Sequence, residues 1–308
     1  GYGRTSAANG KVFSNVFNYP ANYWDGASGG INHLLEENGG DLNGKKVALV
    51  YHNSAYGKEP IRTLEELGKK HGFELSLLPV DHPGQEQKSQ WLQIRRQQPD
   101  YVVMWGWGVM NQVAIQEAAN IRFPMENFIG VWWSGSDHDV IPAGAKADGY
   151  KAVTFHNVGD DFPVFDDIQT HVVDKGLAAG AGDQIGKVAY NRGMYAAMLA
   201  VEAAKTAQEI HGTAEIDAAM MIDGMEGLEL TAEKMTALGM QNFGPAFNVS
   251  CENHGGPGLV GVTQWDADTQ TWSLISGFNP TDSDVIGALV AEDSASYAAE
   301  NNIEERCN

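Results

Sequence analysis

Short apolar runs alternate with stretches of helical periodicity through the first half of the chain. Residues 46–51 (KVALVY) form the kind of apolar run that a buried parallel strand carries. Residues 59–71 place Ile61, Leu64 and Leu67 at helical spacing and stop at Gly72. Residues 73–80 predict a strand, and residues 86–97 a helix with Trp91, Leu92 and Ile94 as inward candidates. Next come a strand at 101–105, a helix at 110–121, and strands at 128–132 and 150–155. Strands separated by helices of about 10 to 15 residues imply βαβ units, hence an α/β fold with a parallel sheet and right-handed crossovers. Upstream, residues 11–19 alternate polar and apolar positions and predict an extended segment, interrupted by Pro20. Residues 23–38 predict a helix closed by Gly39-Gly40.

After Phe162 the pattern becomes mainly helical as far as about Gly224, most clearly over 186–208. A short helix at 231–238 follows. Residues 260–265 and 272–275 flank Asp266-Ala267-Asp268-Thr269-Gln270 and predict a β-hairpin, and a last helix covers 284–301. The helices between 162 and 224 are amphipathic, yet no strands remain to form a sheet beneath them. They need an apolar partner layer. Either they pack on the first sheet, or their own sheet lies outside this sequence.

Two of the predicted strands end in paired tryptophans. Residues 100–105 run into Gly106-Trp107-Gly108, and residues 127–131 run into Trp132-Trp133-Ser134-Gly135. Four of the eight tryptophans sit at these two points. Open α/β sheets bind ligands beyond the carboxyl ends of their strands. Trp105, Trp107, Trp132 and Trp133, with glycines for close backbone approach, therefore suggest one wall of a small-molecule site. The alternative is that the rings are buried core, and Trp105 is the ring most prone to point into the sheet. Tyr23 and Trp24 either join such a site or are ordinary helix-start aromatics. Phe155-His156-Asn157, after the last strand of the alternating region, marks a second candidate crossing point; the alternative for His156 is an ordinary hydrogen-bonded hinge residue.

Composition narrows the function. A length of 308 residues favours two domains, and 43% hydrophobic content is ample for a core. A net charge of −20 argues against nucleic-acid backbone binding and against adsorption to anionic membranes. No apolar run approaches the ~20 residues that span a bilayer. The only cysteines are Cys251 and Cys307, too few for a disulfide scaffold or a cysteine-only zinc site. They either pair, as an oxidising compartment would allow, or are unrelated thiols. The start, Gly1-Tyr2-Gly3-Arg4-Thr5-Ser6, has no signal-peptide character and suggests a processed or truncated chain.

Catalytic motifs are weak or missing. Gly26-Ala27-Ser28-Gly29-Gly30 matches G-x-S-x-G, but Ser28 falls in a predicted helix start rather than on a strand-to-helix elbow. There is no Walker A motif, dinucleotide fingerprint or H-E-x-x-H, and no cofactor is expected. Asp137-His138-Asp139 and Asp160-Asp161 are better read as solvated loops than as cation sites. Asp266 and Asp268 lack the rest of a calcium loop and fit a hairpin turn.

The run Val47-Ala48-Leu49-Val50-Tyr51-His52-Asn53-Ser54-Ala55-Tyr56-Gly57 resembles the first strand and ligand loop of the second lobe in periplasmic solute-binding proteins of the leucine/isoleucine/valine-binding type. Gln97, Pro99-Asp100-Tyr101-Val102, Phe128-Ile129-Gly130 and the late Gln264-Trp265-Asp266 with Trp272 are similar as well, in order and spacing. The resemblance implies two α/β lobes holding a ligand between them, with much of the first lobe's sheet outside this chain. It implies a crossing segment at 1–20, a second lobe at 21–157, a helical part of the first lobe at 158–245, and crossing segments, hairpin and C-terminal helix at 246–308. It implies ligand contacts at Tyr56 and in the loop of Trp107. Amino-acid binders of this type pair the ligand ammonium with a Glu at the position that Trp132 takes here. Without that carboxylate a buried ammonium costs several kcal/mol. Trp132 suits an aromatic or flat apolar ligand, or a quaternary ammonium held by cation–π contacts. The function implied is non-catalytic capture of a small solute outside the cytoplasm, in the periplasm, for delivery to an ABC importer permease. A branched-chain or other amino acid is the next ligand class, and a ligand-sensing module of the same fold is the alternative role.

Overall fold

The computed structural model describes residues 5–180 and 182–307. They divide into two compact units. The first comprises Tyr23–Thr154 and Val260–Ile286, and the second Thr5–Asn22, Phe155–Leu259 and the chain from Gly287 onward.

The first unit opens with helix α1 (Tyr23–Glu37) and strand β1 (Lys46–His52). Helices α2 (Ala55–Lys58) and α3 (Ile61–His71) lead to β2 (Glu74–Val80), and α4 (Lys88–Gln97) leads to β3 (Tyr101–Trp105). Helix α5 (Val109–Asn120), β4 (Phe128–Gly130), the short α6 (Asp137–Val140) and β5 (Lys151–Thr154) complete the alternation. Strands β2, β1, β3, β4 and β5 lie side by side in that order, all parallel. Val47 to Val50 are fully buried, as strands covered on both faces must be. From β1 the chain steps one way to β2, then back across β1 to β3. Right-handed crossovers therefore place α3 and α4 on opposite faces, and the sheet has its switch point between β1 and β3.

Two predicted boundaries move for local reasons. The helix predicted over 59–71 begins at Ile61, because Pro60 caps it and separates it from α2. The strand predicted over 128–132 stops at Gly130, and Trp132–Ser134 turns into a 3-10 helix. Residues 11–19, predicted as extended, form no strand: the Phe13 and Val12 amides close a turn on the Asn9 carbonyl at 3.1 and 3.2 Å.

The second unit carries α7 (Pro163–Ile168), α8 (Val188–His211), α9 (Ala218–Glu226), β6 (Glu229–Leu230), α10 (Ala232–Ala237) and β7 (Phe247–Asn248). The helices close around Phe165, Tyr195, Leu199, Met235 and Phe243, all buried. Among the described residues the sheet content of this unit is the β6–β7 pair. Cys251 and Cys307 are joined by a disulfide, which resolves the two readings of the cysteines in favour of pairing.

The chain returns to the first sheet with β8 (Leu259–Asp266), antiparallel to β5, and with β9 (Thr271–Leu274) and β10 (Asn279–Pro280) beside β8. β8 and β9 are the hairpin expected from sequence, with Trp265 opposite Trp272. The Asp266 carboxylate accepts from the Asp268 and Thr269 amides at 2.9 Å each, so it is tied into the turn. Helix α11 (Ser283–Asn301) ends the fold.

Candidate functional site

Register brings the chemistry together. Tyr51 of β1 pairs with Trp105 of β3, and Met104 pairs with Gly130 of β4, so the carboxyl ends of these strands lie level at the switch point. The segments leaving these ends carry Tyr56, Trp107, Trp132 and Trp133. Tyr23 arrives from the first turn of α1.

These six rings form one connected set. Tyr23 stacks on Trp132 with centroids 5.5 Å apart, and meets Tyr56 and Trp105 edge-on at 5.3 and 6.0 Å. Tyr56 meets Trp107 at 6.2 Å, and Trp107 meets Trp133 at 5.6 Å. Burial is graded across the set. Trp105 and Trp132 are 1% and 4% exposed, Tyr23 and Tyr56 are nearly as buried, Trp133 is half-buried, and Trp107 is 48% exposed. Trp105 and Trp132 are thus the floor, while Trp107 and Trp133 present ring surface to solvent. Trp24 lies outside the set: its indole N–H donates to the Glu59 carbonyl at 2.9 Å and anchors α1 to the end of α2.

Hydrogen bonds hold the rings in place. The Tyr56 hydroxyl donates to the Gly106 carbonyl at 2.8 Å, and the Trp133 indole N–H donates to the Tyr23 hydroxyl at 3.0 Å. The Gly106 amide donates to Ser134 Oγ at 3.1 Å, and Asn111 donates to the Trp133 carbonyl at 2.8 Å and to Asp139 at 2.9 Å. Asp139 also accepts from the Ser136 amide and hydroxyl. The two tryptophan loops are therefore pinned to each other before any ligand arrives, which lowers the ordering cost of binding. Asn111 and Ser134 were not singled out in the sequence. Their only local sign was a polar residue beside an apolar strand end, which is too common to be informative.

Glycines permit the close packing. A Cβ on Gly106 would lie 2.1 Å from Asn111 Oδ1. A Cβ on Gly26, one turn after Tyr23, would lie 2.6 Å from Trp132 Cζ3 and 3.4 Å from Trp105 Cη2. Gly26 lets α1 sit directly on the tryptophan floor. Gly26→Ala should push Trp132 away from Tyr23 and destabilise by roughly 1–3 kcal/mol, the usual effect of overpacking. Near-ultraviolet circular dichroism and thermal unfolding check this; an unaltered aromatic signal would contradict the geometry.

The other candidates have structural positions. Ser28 is fully buried in α1, and its Oγ accepts from the Asp282 amide at 2.8 Å, so it caps the turn before α11. Asp139 closes a capping box with Ser136. The rings of His52 and His82, far apart in sequence, lie 5.7 Å apart. Among the described residues no group of three or more His, Cys, Asp or Glu is placed to hold a metal ion, and no helix is long and apolar enough to cross a membrane.

Residues 2–270 match a family model described as periplasmic binding protein. A solved structure described as an ABC transporter permease from the Pseudomonas fluorescens group is 37% identical, with a TM-score of 0.92 over 99% of this chain and 74% of its own. A branched-chain amino acid ABC transporter protein from Thermus thermophilus with bound valine is 18% identical, with a TM-score of 0.72 over 90% of this chain and 70% of its own. A solute-binding protein from Rhodopseudomonas palustris in complex with benzoate is also 18% identical, with a TM-score of 0.64 over 91% and 70%. The last two are likenesses of fold alone. No curated protein sequence matches the chain.

Proposed function

The chain belongs to the periplasmic binding protein family, and we propose that it is a non-catalytic extracytoplasmic receptor that captures a small organic solute and delivers it to an ABC importer. The observation that carries this reading is the connected ring set at the sheet's switch point, where α/β folds place ligands. All six side chains of the set are uncharged. The two tyrosine hydroxyls and the Trp133 indole N–H are engaged within the wall. The ring faces of Trp107 and Trp133 are then the contact surface on offer, and they suit an aromatic or flat apolar solute. A structural relative holds benzoate and another holds valine, so amino acids are the second ligand class. Binding shifts the protein toward a ligand-bound conformation that the transporter recognises, and the solute leaves unaltered.

Titration of intrinsic tryptophan fluorescence with benzoate, valine, leucine and choline tests this. Quenching by benzoate, with the solute recovered intact, is the expected result; any product would overturn the non-catalytic reading. Trp107→Ala should weaken binding about tenfold, or 1.4 kcal/mol, through loss of one stacking face. The ligand-free protein should unfold within about 2 °C of the parent, because Trp107 is half exposed. Unchanged affinity in Trp107→Ala would remove this wall from the site.

A further inference from the structure

The two sulfurs of the Cys251–Cys307 bridge have unequal surroundings. Both residues are half-buried rather than sealed in the interior. The Arg306 guanidinium sets Nη2 3.1 Å from Cys251 Sγ. The same nitrogen pairs with the Glu226 carboxylate, which also lies 3.1 Å from Nε2 of the fully buried His254. The cation is thereby held in place beside Cys251. A disulfide sulfur is a weak acceptor, so the contact contributes little while the bond is intact. If the bond breaks with its electron pair on Cys251, the same contact becomes a charge-assisted bond to a thiolate. An interaction that strengthens only as charge develops accelerates the step that develops it. Cys307 sits instead at φ 75°, in the left-handed region that disfavours a residue with a Cβ. Opening the bridge gives the backbone at Cys307 the freedom to leave that conformation.

We propose that this bridge is a thiol-exchange site of fixed polarity, which takes up a low-molecular-weight aminothiol at Cys307 and releases Cys251 as a thiolate. The incoming thiol gives its proton to water, and its sulfur attacks Cys307 Sγ. A new S–S bond forms there as the Cys251–Cys307 bond breaks, and the electron pair passes to Cys251 Sγ beside Arg306. One disulfide replaces another, so no oxidant or reductant is consumed. Attack by Cys251 on the mixed disulfide restores the bridge and expels the thiol. The surrounding charge selects the amine. Exposed Glu252 follows Cys251, exposed Glu304 and Glu305 precede Arg306, and Lys11, paired with Glu252 at 2.8 Å, also feels the charge of Glu305. Carboxylates outnumber cations around the bond, which favours an ammonium-bearing thiol over an anionic one.

Exchange with cysteamine, quenched with iodoacetamide and mapped by mass spectrometry, tests the proposal. The expected product carries cysteamine on Cys307 and the alkyl group on Cys251, in about tenfold excess over the reverse adduct. Arg306→Met keeps the side chain's bulk and removes its charge; it should slow exchange about tenfold, and Arg306→Lys should restore most of the rate. A purely structural Arg306 predicts the opposite, because a loosened tail would exchange faster. At low ionic strength the anionic 2-mercaptoethanesulfonate should react about tenfold more slowly than cysteamine, compared per thiolate, and added salt should narrow that gap. An independent reading comes from Cys307→Ser, in which the single thiol of Cys251 should be alkylated at pH 7 about fivefold faster in the folded than in the urea-unfolded protein. A Cys251 adduct in excess, exchange in Arg306→Met as fast as in the parent, equal rates for the two thiols at low salt, or slower alkylation in folded Cys307→Ser would each overturn the proposal.

Discussion

Acidification should destabilise the second unit steeply through one residue, His156. The ring is fully buried, stacked on Phe243 at an interplanar angle of 9°. Its Nδ1 lies 2.8 Å from the Asn157 carbonyl. A carbonyl can only accept, so Nδ1 carries the proton of the neutral ring. Burial, reinforced by the nearby Arg192 guanidinium, pushes the His156 pKa down to about 3, and the bond to Asn157 only partly opposes this. The folded-state value lies below the unfolded one near 6.5, so the neutral ring contributes stability above pH 6.5 that is lost as pH falls toward 3. Linkage gives a loss of about 2 kcal/mol by pH 5 and about 4 kcal/mol by pH 3. Urea unfolding of the parent and of His156→Phe at pH 7 and pH 5 checks this, because contributions from other titrating groups cancel in the comparison. Phe keeps the ring stacking and removes the titration, so the variant should lose about 2 kcal/mol less on acidification. Equal losses in the two proteins would show that His156 does not titrate as argued.

The second large effect is expected from the disulfide. Cys251 and Cys307 are 56 positions apart, and closing a loop of that length should contribute about 4 kcal/mol by restricting the unfolded chain. The bridge also fixes a local network. Arg306, beside Cys307, pairs with Glu226, which meets the fully buried His254 at 3.1 Å. The Arg306 amide donates to the Lys11 carbonyl at 3.1 Å. Farther up the same tail, Tyr297 stacks on Phe13 with centroids 4.8 Å apart. Replacing both cysteines by serine should lower the unfolding free energy by about 4 kcal/mol, and reductant should do the same to the parent but not to the variant. A urea midpoint unchanged in the variant would show that the tail stays docked without its covalent clasp.

The fold was legible to different depths along the chain. Apolar runs such as Val47–Val50 identify themselves because a strand covered on both faces leaves no polar position in its centre. The hairpin around Asp266 was equally plain, since its turn chemistry is local. Boundaries failed where one residue redirected the backbone, at Pro60 and after Gly130. The extended reading failed over residues 11–15, because a period of two is also met by chance in a turn. At the candidate site, positions at and just after strand ends gave Trp105, Trp107, Trp132 and Trp133, and α1 gave Tyr23. Neither the ring contacts nor the pinning by Asn111 and Ser134 is encoded in any short stretch.

The sequence by itself determined the order of strands and helices in the first unit, the acidic charge balance and the clustering of indoles after two strands. Those depend on periodicity and composition, which are properties of neighbours along the chain. Tertiary structure decided the rest. It levelled the ends of β1, β3 and β4, divided the indoles into a buried floor and an exposed edge, set Trp24 apart and closed the disulfide. Each of these depends on register and burial between residues distant in sequence, and such contacts exist only once the sheet and helices have packed.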